Sequence, residues 1–362
     1  MSRNKVTNTA NEHRNGMNLV ILNSLESLKE FTADTIIDVR APAEYADDHL
    51  PGAINLPVLD DTQRAEIGTV YKRNPFMARK KGAALVALNA ANHLQGPLAA
   101  KDGGWQPLIY CGVAGKDLAH CYNPRASRLA SATTGGWLSK LSPRGSKGTL
   151  RQTTSTSLML IGGSTGTAKT ALLHQLAAKG AQILDLEGIA THRGSLFGGI
   201  CLDQPTQKMF ESRISSKLSS LNPAKITFIE AESSKIGERL IPPSLWASMR
   251  AAPRFQVTST LEARSDFLCK TYTDLTHDKV TLCELINRLR PYHNRKQVTE
   301  WLGHVKLGEW KKLAIGLITK HYDPRYAKYT DIKDTTVHSI ELSDLSDSTL
   351  SKTAKTLIGQ FN

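Results

Sequence analysis

Cysteine is scarce: five in 362 residues (Cys111, Cys121, Cys201, Cys269, Cys283), an odd number with no C-x-x-C pair. That scarcity argues against a disulfide framework and a paired-cysteine zinc site, and it fits a reducing compartment. Long apolar runs are also missing, since none approaches the roughly 18 residues that a bilayer-spanning helix needs. The stretch Met1–Gly16 is polar where a secretory signal would be apolar. A soluble, cytoplasmic protein with a disordered leader over 1–16 and no membrane partner is expected. Acidic residues are in deficit, 33 Asp+Glu against 46 Lys+Arg, for a formal charge of +13. Such an excess favours an anionic partner: nucleic acid, phosphate or an acidic surface. No internal repeat is visible. What remains is ample apolar material, 40% of residues, in a chain longer than one core usually organises, so two domains are expected.

The pattern along the chain predicts a strand over Leu19–Leu22, a helix over Ser24–Phe31 and a strand over Thr35–Val39 that stops at Arg40 and a proline turn. A long helical stretch runs from Asp60 to Leu94, and Pro107–Tyr110 forms another strand ending at Cys111. From Gly112 to Ser157 the sequence is rich in Ser, Thr, Gly and Arg without helical or strand period. Regularity returns with a strand at Leu158–Ile161, a glycine loop, a helix over Thr170–Lys179 and a strand at Gln182–Leu186. Helical sequence around Gln204–Leu221 and a strand at Lys225–Ile229 follow. The remainder reads as mostly helical, with Trp246, Trp301 and Trp310 as core anchors. The expected fold class is α/β: a parallel-sheet domain over 17–150, then a second α/β domain over 151–362 with a helical C-terminal part.

Two constellations carry chemistry. Asp38-Val39-Arg40, Glu44-Tyr45, His49-Leu50 and Gly52-Ala53-Ile54-Asn55, followed by Leu108-Ile109-Tyr110-Cys111, resemble the rhodanese domain. In that family the loop after the cysteine curls its N–H groups around the sulfur, which stabilises a thiolate able to accept and pass on a chalcogen atom. Asp38, Arg40, Glu44 and His49 read as structural. Gly163-Ser164-Thr165-Gly166-Thr167-Ala168-Lys169-Thr170, between a strand and a helix, resembles a Walker A P-loop and predicts a phosphate-binding loop. Gly163 and Gly166 let backbone N–H groups face a phosphate, the helix start adds its positive end, Lys169 supplies a point charge, and Thr170 is placed to ligate magnesium. Ala168 departs from the glycine of the pattern, and its methyl group is expected to crowd the phosphate or oppose a positive φ. Glu230 and Glu232, at the end of a later strand, are placed to hold such a metal through water; no direct protein metal site is expected. Just after the strand that follows the P-loop helix, Asp185 and Glu187 run into His192 and Arg193, a candidate substrate-binding group at the carboxyl edge of the sheet.

More specific strings join these parts: Val58-Leu59-Asp60-Asp61, Ile67-Gly68-Thr69-Val70-Tyr71-Lys72, Leu184-Asp185-Leu186-Glu187-Gly188, His192-Arg193-Gly194-Ser195, Glu230-Ala231-Glu232-Ser233-Ser234-Lys235-Ile236-Gly237 and Met249-Arg250-Ala251-Ala252-Pro253. Together they resemble the bacterial tRNA 2-selenouridine synthase family, over about Met17–Cys111 and Leu158–Tyr329. The resemblance implies a selenotransferase that replaces sulfur by selenium at the wobble 2-thiouridine of tRNA. Its substrates would be selenophosphate and geranyl diphosphate, the latter forming a geranylated intermediate; no cofactor is tightly bound and the partner is the anticodon region of tRNA. Cys111 matches the selenium-carrying cysteine. The rival readings are a sulfurtransferase coupled to a P-loop kinase or NTPase, and a non-catalytic RNA-binding remnant.

The resemblance breaks after Cys111. The family continues Cys-Trp-Arg-Gly-Gly and later Leu-Glu-Gly-Gly-Tyr, whereas this chain reads Gly112-Val113-Ala114-Gly115-Lys116. Read one base later, the codons of Ala126–Gly145 permit a family-like run containing Leu-Leu-Glu-Gly-Gly-Tyr. A two-base shift of Gly112–Lys116 permits Trp-Arg-Gly-Gly-Gln. Compensating frameshifts within 112–150 are therefore expected, which resequencing the gene decides. They imply a weakened first domain with poor or absent selenium transfer beside a more intact P-loop domain. The segment 112–150 also carries six of the cations against Asp117 alone.

Overall fold

The structure, a computed structural model, describes residues 19–20, 33–111, 128–130, 157–199, 203–231, 233–325 and 336–361. The chain divides into two compact units, Met1–Thr149 with Pro205–Ser219 and Leu150–Gln204 with Ser220–Asn362.

In the first unit, β1 (Leu19–Val20), β2 (Thr35–Asp38), β3 (Ala53–Asn55), β4 (Pro107–Tyr110) and β5 (Arg128–Ala130) form a parallel sheet in the order β1-β5-β4-β2-β3. The turn expected after Arg40 is a short helix, α1 (Pro42–Asp47), because Pro42 occupies the first helical position, where no N–H is needed. The long helical stretch is two helices, α2 (Asp61–Arg73) and α3 (Pro75–Gln95). Asp60 starts α2 by accepting from Gln63 N (2.7 Å) while Gln63 Oε1 accepts from Asp60 N (3.1 Å), a capping box. Asn74 breaks the run and caps α3 through Met77 N. Within the stretch expected to be patternless, Arg128–Ala130 pairs with β4, since parallel pairing asks only for backbone groups. The helix expected at 24–31 and the segments 112–127 and 131–156, which carry most of the frameshift reading, lie outside the described residues.

In the second unit, β6 (Leu158–Gly162), β7 (Gln182–Leu184), β8 (Thr227–Glu230), β11 (Arg254–Ser259) and β12 (Thr336–Leu342) form a second parallel sheet in the order β12-β11-β6-β8-β7. A small antiparallel pair, β9 (Lys235–Ile236) and β10 (Arg239–Leu240), lies beside it in sequence. The strands β11 and β12 correct the mostly helical expectation. Arg254–Ser259 alternates, with Phe255 and Val257 buried, the period of a strand. Helices α4 (Lys169–Ala178), α5 (Leu186–Ala190) and α7 (Pro243–Ala251) connect strands, and α13 (Asp347–Phe361) follows β12. The sheet core joins Met159, Ile161, Leu172, Leu176, Phe228 and Val257 to Leu350 and Leu357 of α13.

A second core belongs to α8 (Leu261–Thr271), α9 (Thr273–His277), α10 (Lys279–Asn287), α11 (Arg295–Leu307), α12 (Trp310–Leu317) and a π-helical turn at Ile318–Tyr322. Trp301 is fully buried there, and a side chain on Gly316 would meet its indole nitrogen at 2.7 Å. Trp246 and Trp310 are only half-buried, so one of the three expected anchors is a true core residue. The remaining helix, α6 (Gln207–Ser219), groups with the first unit, where Lys208 pairs with Asp47 (2.6 Å) and Ser212 donates to Asp48 (3.2 Å). Among the described residues no helix is long and apolar enough to cross a membrane.

Candidate functional site

Cys111 sits where β4 ends, at the carboxyl edge of its sheet and half-buried. The neighbouring strand β2 ends on Asp38, fully buried beside it in register with Tyr110. Arg40 clasps that carboxylate, Nε to Oδ1 at 3.0 Å and Nη2 to Oδ2 at 2.5 Å, and donates to the Asp48 carbonyl at 2.6 Å. Its guanidinium lies 4.6 Å from the centre of the Tyr110 ring. Asn55 ties the corner by donating to the carbonyls of Asp38 (3.0 Å) and Arg40 (2.9 Å). Glu44 pairs with Arg64 (3.3 Å), and His49 stacks on Tyr45 with ring centres 3.9 Å apart. Asp38, Arg40 and Asn55 hold the sheet edge beside the cysteine, while Glu44 and His49 make their contacts around α1. Burial, followed by the Asp38 charge, pushes the Cys111 thiol up, while Arg40 pulls it down. The loop expected to nest the sulfur lies outside the described residues.

In the second unit the glycine loop joins β6 to α4. Gly166 has φ 84°, and a side chain there would meet the Arg264 carbonyl at 3.1 Å. Ala168 itself takes φ 59°, so the missing glycine does not prevent the left-handed turn. Nor does its methyl crowd the loop: it is 4% exposed and belongs to the apolar core of the sheet. The strain of a left-handed alanine, roughly 1 kcal/mol, is offset by that burial. Lys169 opens α4 and donates to the Gly163 carbonyl at 2.9 Å; Thr170 donates to Glu187 Oε2 at 3.1 Å. Gly163, Gly166, Lys169 and Thr170 thus converge on one helix start.

The second candidate group surrounds this loop unevenly. Asp185 caps α5 through Gly188 N (2.7 Å) and pairs with His174 (2.8 Å), whereas its helix partner Glu187 reaches Thr170. His192 Nδ1 accepts from Gly194 N at 3.1 Å, and burial with the neighbouring Arg193 holds its ring below the usual range. Arg193 is an anchor: it pairs with Asp274 (2.5 Å), donates to the carbonyls of Thr271 and Gly199, and stacks 4.4 Å from the centre of Tyr272. Glu230, fully buried, ends β8 opposite Ile161 of β6; Glu232 lies outside the described residues.

Sequence reasoning missed three features. Arg264 of α8, buried, donates from Nε to the Thr165 carbonyl of the glycine loop (2.9 Å) and grips Asp323 with both terminal nitrogens (3.0 and 2.6 Å). The π-helical turn before Asp323 carries Tyr322. Beside the loop lies an apolar pocket, open to solvent on one side, that shares Thr165 with it and is walled by Leu268, Tyr272, Leu282, Trp310 and Leu317. Nothing in the local sequence marks these residues, because they are brought together from helices far apart in the chain.

A rhodanese-like family model matches residues 22–119, and a model described as the tRNA 2-selenouridine synthase AAA domain matches residues 156–289. The tRNA 2-selenouridine synthase of Nitrosomonas europaea is 34% identical over 251 residues, 67% of this chain and 64% of that protein. That of Psychromonas ingrahamii is 32% identical over 68% of this chain and 67% of its own length. That of Pseudomonas putida is 29% identical over 82% of this chain and 89% of its own. The chain therefore spans about two thirds of the length of the first two of these relatives. Among solved structures, the N-terminal domain of a putative ATP/GTP binding protein from Clostridium difficile is 26% identical over 32% of this chain and 94% of that one, with a TM-score of 0.26. A parallel sheet ending on Cys111, a glycine loop starting a helix in a second parallel sheet, and relatives matched across both agree: the chain belongs to the tRNA 2-selenouridine synthase family.

Proposed function

We propose that this chain modifies tRNA in the cytoplasm, exchanging the sulfur of wobble 2-thiouridine for selenium through a geranylated intermediate. The observation that supports this reading is the junction of an anion-binding loop with an apolar pocket through Thr165. A ligand suited to both has a phosphorylated head and a hydrocarbon tail, as geranyl diphosphate does. The loop amides, Lys169 and Thr170 would hold the diphosphate, and the pocket would take the chain. The thiouridine sulfur would attack the first carbon of the geranyl group, the carbon–oxygen bond would break and diphosphate would leave. The selenium of selenophosphate would then attack the same base carbon, the geranylthiolate would leave, and water would cleave the selenium–phosphorus bond to release phosphate, with Cys111 as the residue that guides the selenium. The Thr170 hydroxyl and the carboxylates of Glu187 and Glu230 are oxygen donors of the type magnesium prefers; a bound ion would neutralise diphosphate charge.

Titrating the Lys169→Ala variant with geranyl diphosphate tests the reading. Loss of a charge-assisted contact predicts affinity about tenfold to a hundredfold lower; unchanged affinity sinks it. ATP-dependent phosphate release without RNA would instead favour a P-loop kinase or NTPase.

A further inference from the structure

Charge is unevenly spread over the second unit. Residues 279–325 hold ten Lys and Arg against four Asp and Glu. Four of the cations, Arg288, Arg290, Arg295 and Lys296, fall within nine residues at the turn between α10 and α11, and all four are exposed. Several exposed or half-exposed cations of this unit are matched by carboxylates: Lys311 bridges Glu262 and Asp266, Lys312 pairs with Glu309, and Arg193 with Asp274. At the turn, Arg290 donates only to the neutral Asn287 (2.9 Å), and no ion pair to any of the four is seen among the described residues. Arg295 and Lys296 open α11 directly after its cap Asn294, with no acidic residue in the first turn. Cations there oppose the positive end of the helix, an arrangement that costs stability unless an anion is to be met.

An aromatic ring sits among these charges. Tyr292 is 62% exposed, and the guanidinium of Arg325 lies 4.3 Å from its centre. Arg325 also contacts His321 (3.1 Å), which contacts His293 (2.9 Å). Burial and the Arg325 charge hold both imidazoles below their usual range, His321 down to about 4. Cations flanking an exposed ring are the equipment used on unpaired nucleotides, where the ring stacks a base and the charges follow the phosphates.

We infer that Arg288, Arg290, Arg295, Lys296 and Arg325 contact the phosphodiester backbone of the RNA substrate, with Tyr292 as the platform for an unpaired base. The inference rests on the proposed tRNA-modifying function and adds the place where the RNA lies on this unit.

The test is binding of unmodified tRNA by the full chain across a salt series. Arg295→Glu with Lys296→Glu weakens binding about tenfold or more and lowers the slope of log affinity against log salt by about 1.5. Because the same pair places acids at a helix N-terminus, Tm stays level or rises, so a loss of binding cannot be a loss of fold. Tyr292→Ala weakens binding about fivefold or more with the salt slope unchanged. An equal charge change at exposed sites elsewhere in the unit, Lys179→Glu with Lys225→Glu, has a smaller effect. Unchanged affinity and slope in the first variant, or an equal loss in the last, overturns the surface while leaving the function standing. A native chain without affinity for tRNA overturns the function, and this surface with it.

Discussion

The two units share an architecture and differ in how their reactive edge is supplied. Both are parallel sheets with chemistry at the carboxyl ends of strands, the usual position in an open α/β sheet. In the P-loop unit the edge is nearly complete: glycines at two of the turns with Ala168 at a third, a lysine and threonine at the helix start, and Arg264 bracing the loop. In the rhodanese-like unit the strand, the Asp38–Arg40 clasp and the cysteine are in place, but the sequence after Cys111 lacks the arginine and paired glycines that would nest its sulfur. A scaffold positions a thiol; only the loop behind it makes the thiolate cheap to form. Burial and the Asp38 charge push the Cys111 thiol up, against the pull of Arg40.

The largest expected effect follows from that contrast. Under the proposed function, geranylation should proceed while selenation lags by about tenfold or more, the deficit expected for a lost set of charge-assisted contacts to the thiolate. Mass spectrometry of wobble uridines reads both products, and balanced amounts would break the comparison. Cys111→Ser removes whatever selenation remains and leaves the geranylated product.

Stability separates the units next. In the P-loop unit, Arg264→Ala removes the donor to Thr165 and both contacts to Asp323, at a cost of about 2 kcal/mol by urea denaturation. It also weakens diphosphate binding, because the glycine loop loses its brace; Arg264→Lys restores the charge but not the forked geometry.

The first unit carries a buried liability instead. Asp48 is 3% exposed, and burial pushes its carboxyl from 3.8 up to about 6, although Ser212 donates to it. A raised carboxyl favours folding below the unfolded value, and that contribution is lost as pH rises through the folded one. Hydrogen exchange of first-unit peptides should therefore show stability falling between pH 4 and 6, by up to about 3 kcal/mol. Asp48→Asn removes that slope and gains stability at pH 8; an unchanged pH profile would contradict the burial argument.

The smallest effect is expected at Ala168. Glycine there relieves a left-handed φ but forfeits a buried methyl, so Ala168→Gly should shift stability by less than about 1 kcal/mol. Diphosphate affinity should change little. A large gain in affinity would mean that the methyl reaches the ligand after all.

Much of this was legible in the sequence where residues near one another in the chain do the work. The run Leu158–Thr170 announces strand, turn and helix because an apolar strand, glycines and a basic helix start follow in order. Leu108–Cys111 likewise announces a strand that ends on a thiol. The strand Arg254–Ser259 was lost in helical surroundings, since six residues of alternation are easily outweighed by their neighbours.

By itself the sequence determined the class of fold, the two reactive edges and the excess of cations, for each is written as local pattern or plain composition. Only the tertiary structure decided how those residues are used. It turned Arg193 into an anchor for Asp274 and Tyr272, gave Ser212 to Asp48 across 164 positions, and assembled a pocket from Thr165, Leu268 and Trp310. It also showed that Ala168 buries its methyl in the core. Burial and contact between residues distant in the chain are set by packing, and packing leaves no periodic mark on the sequence.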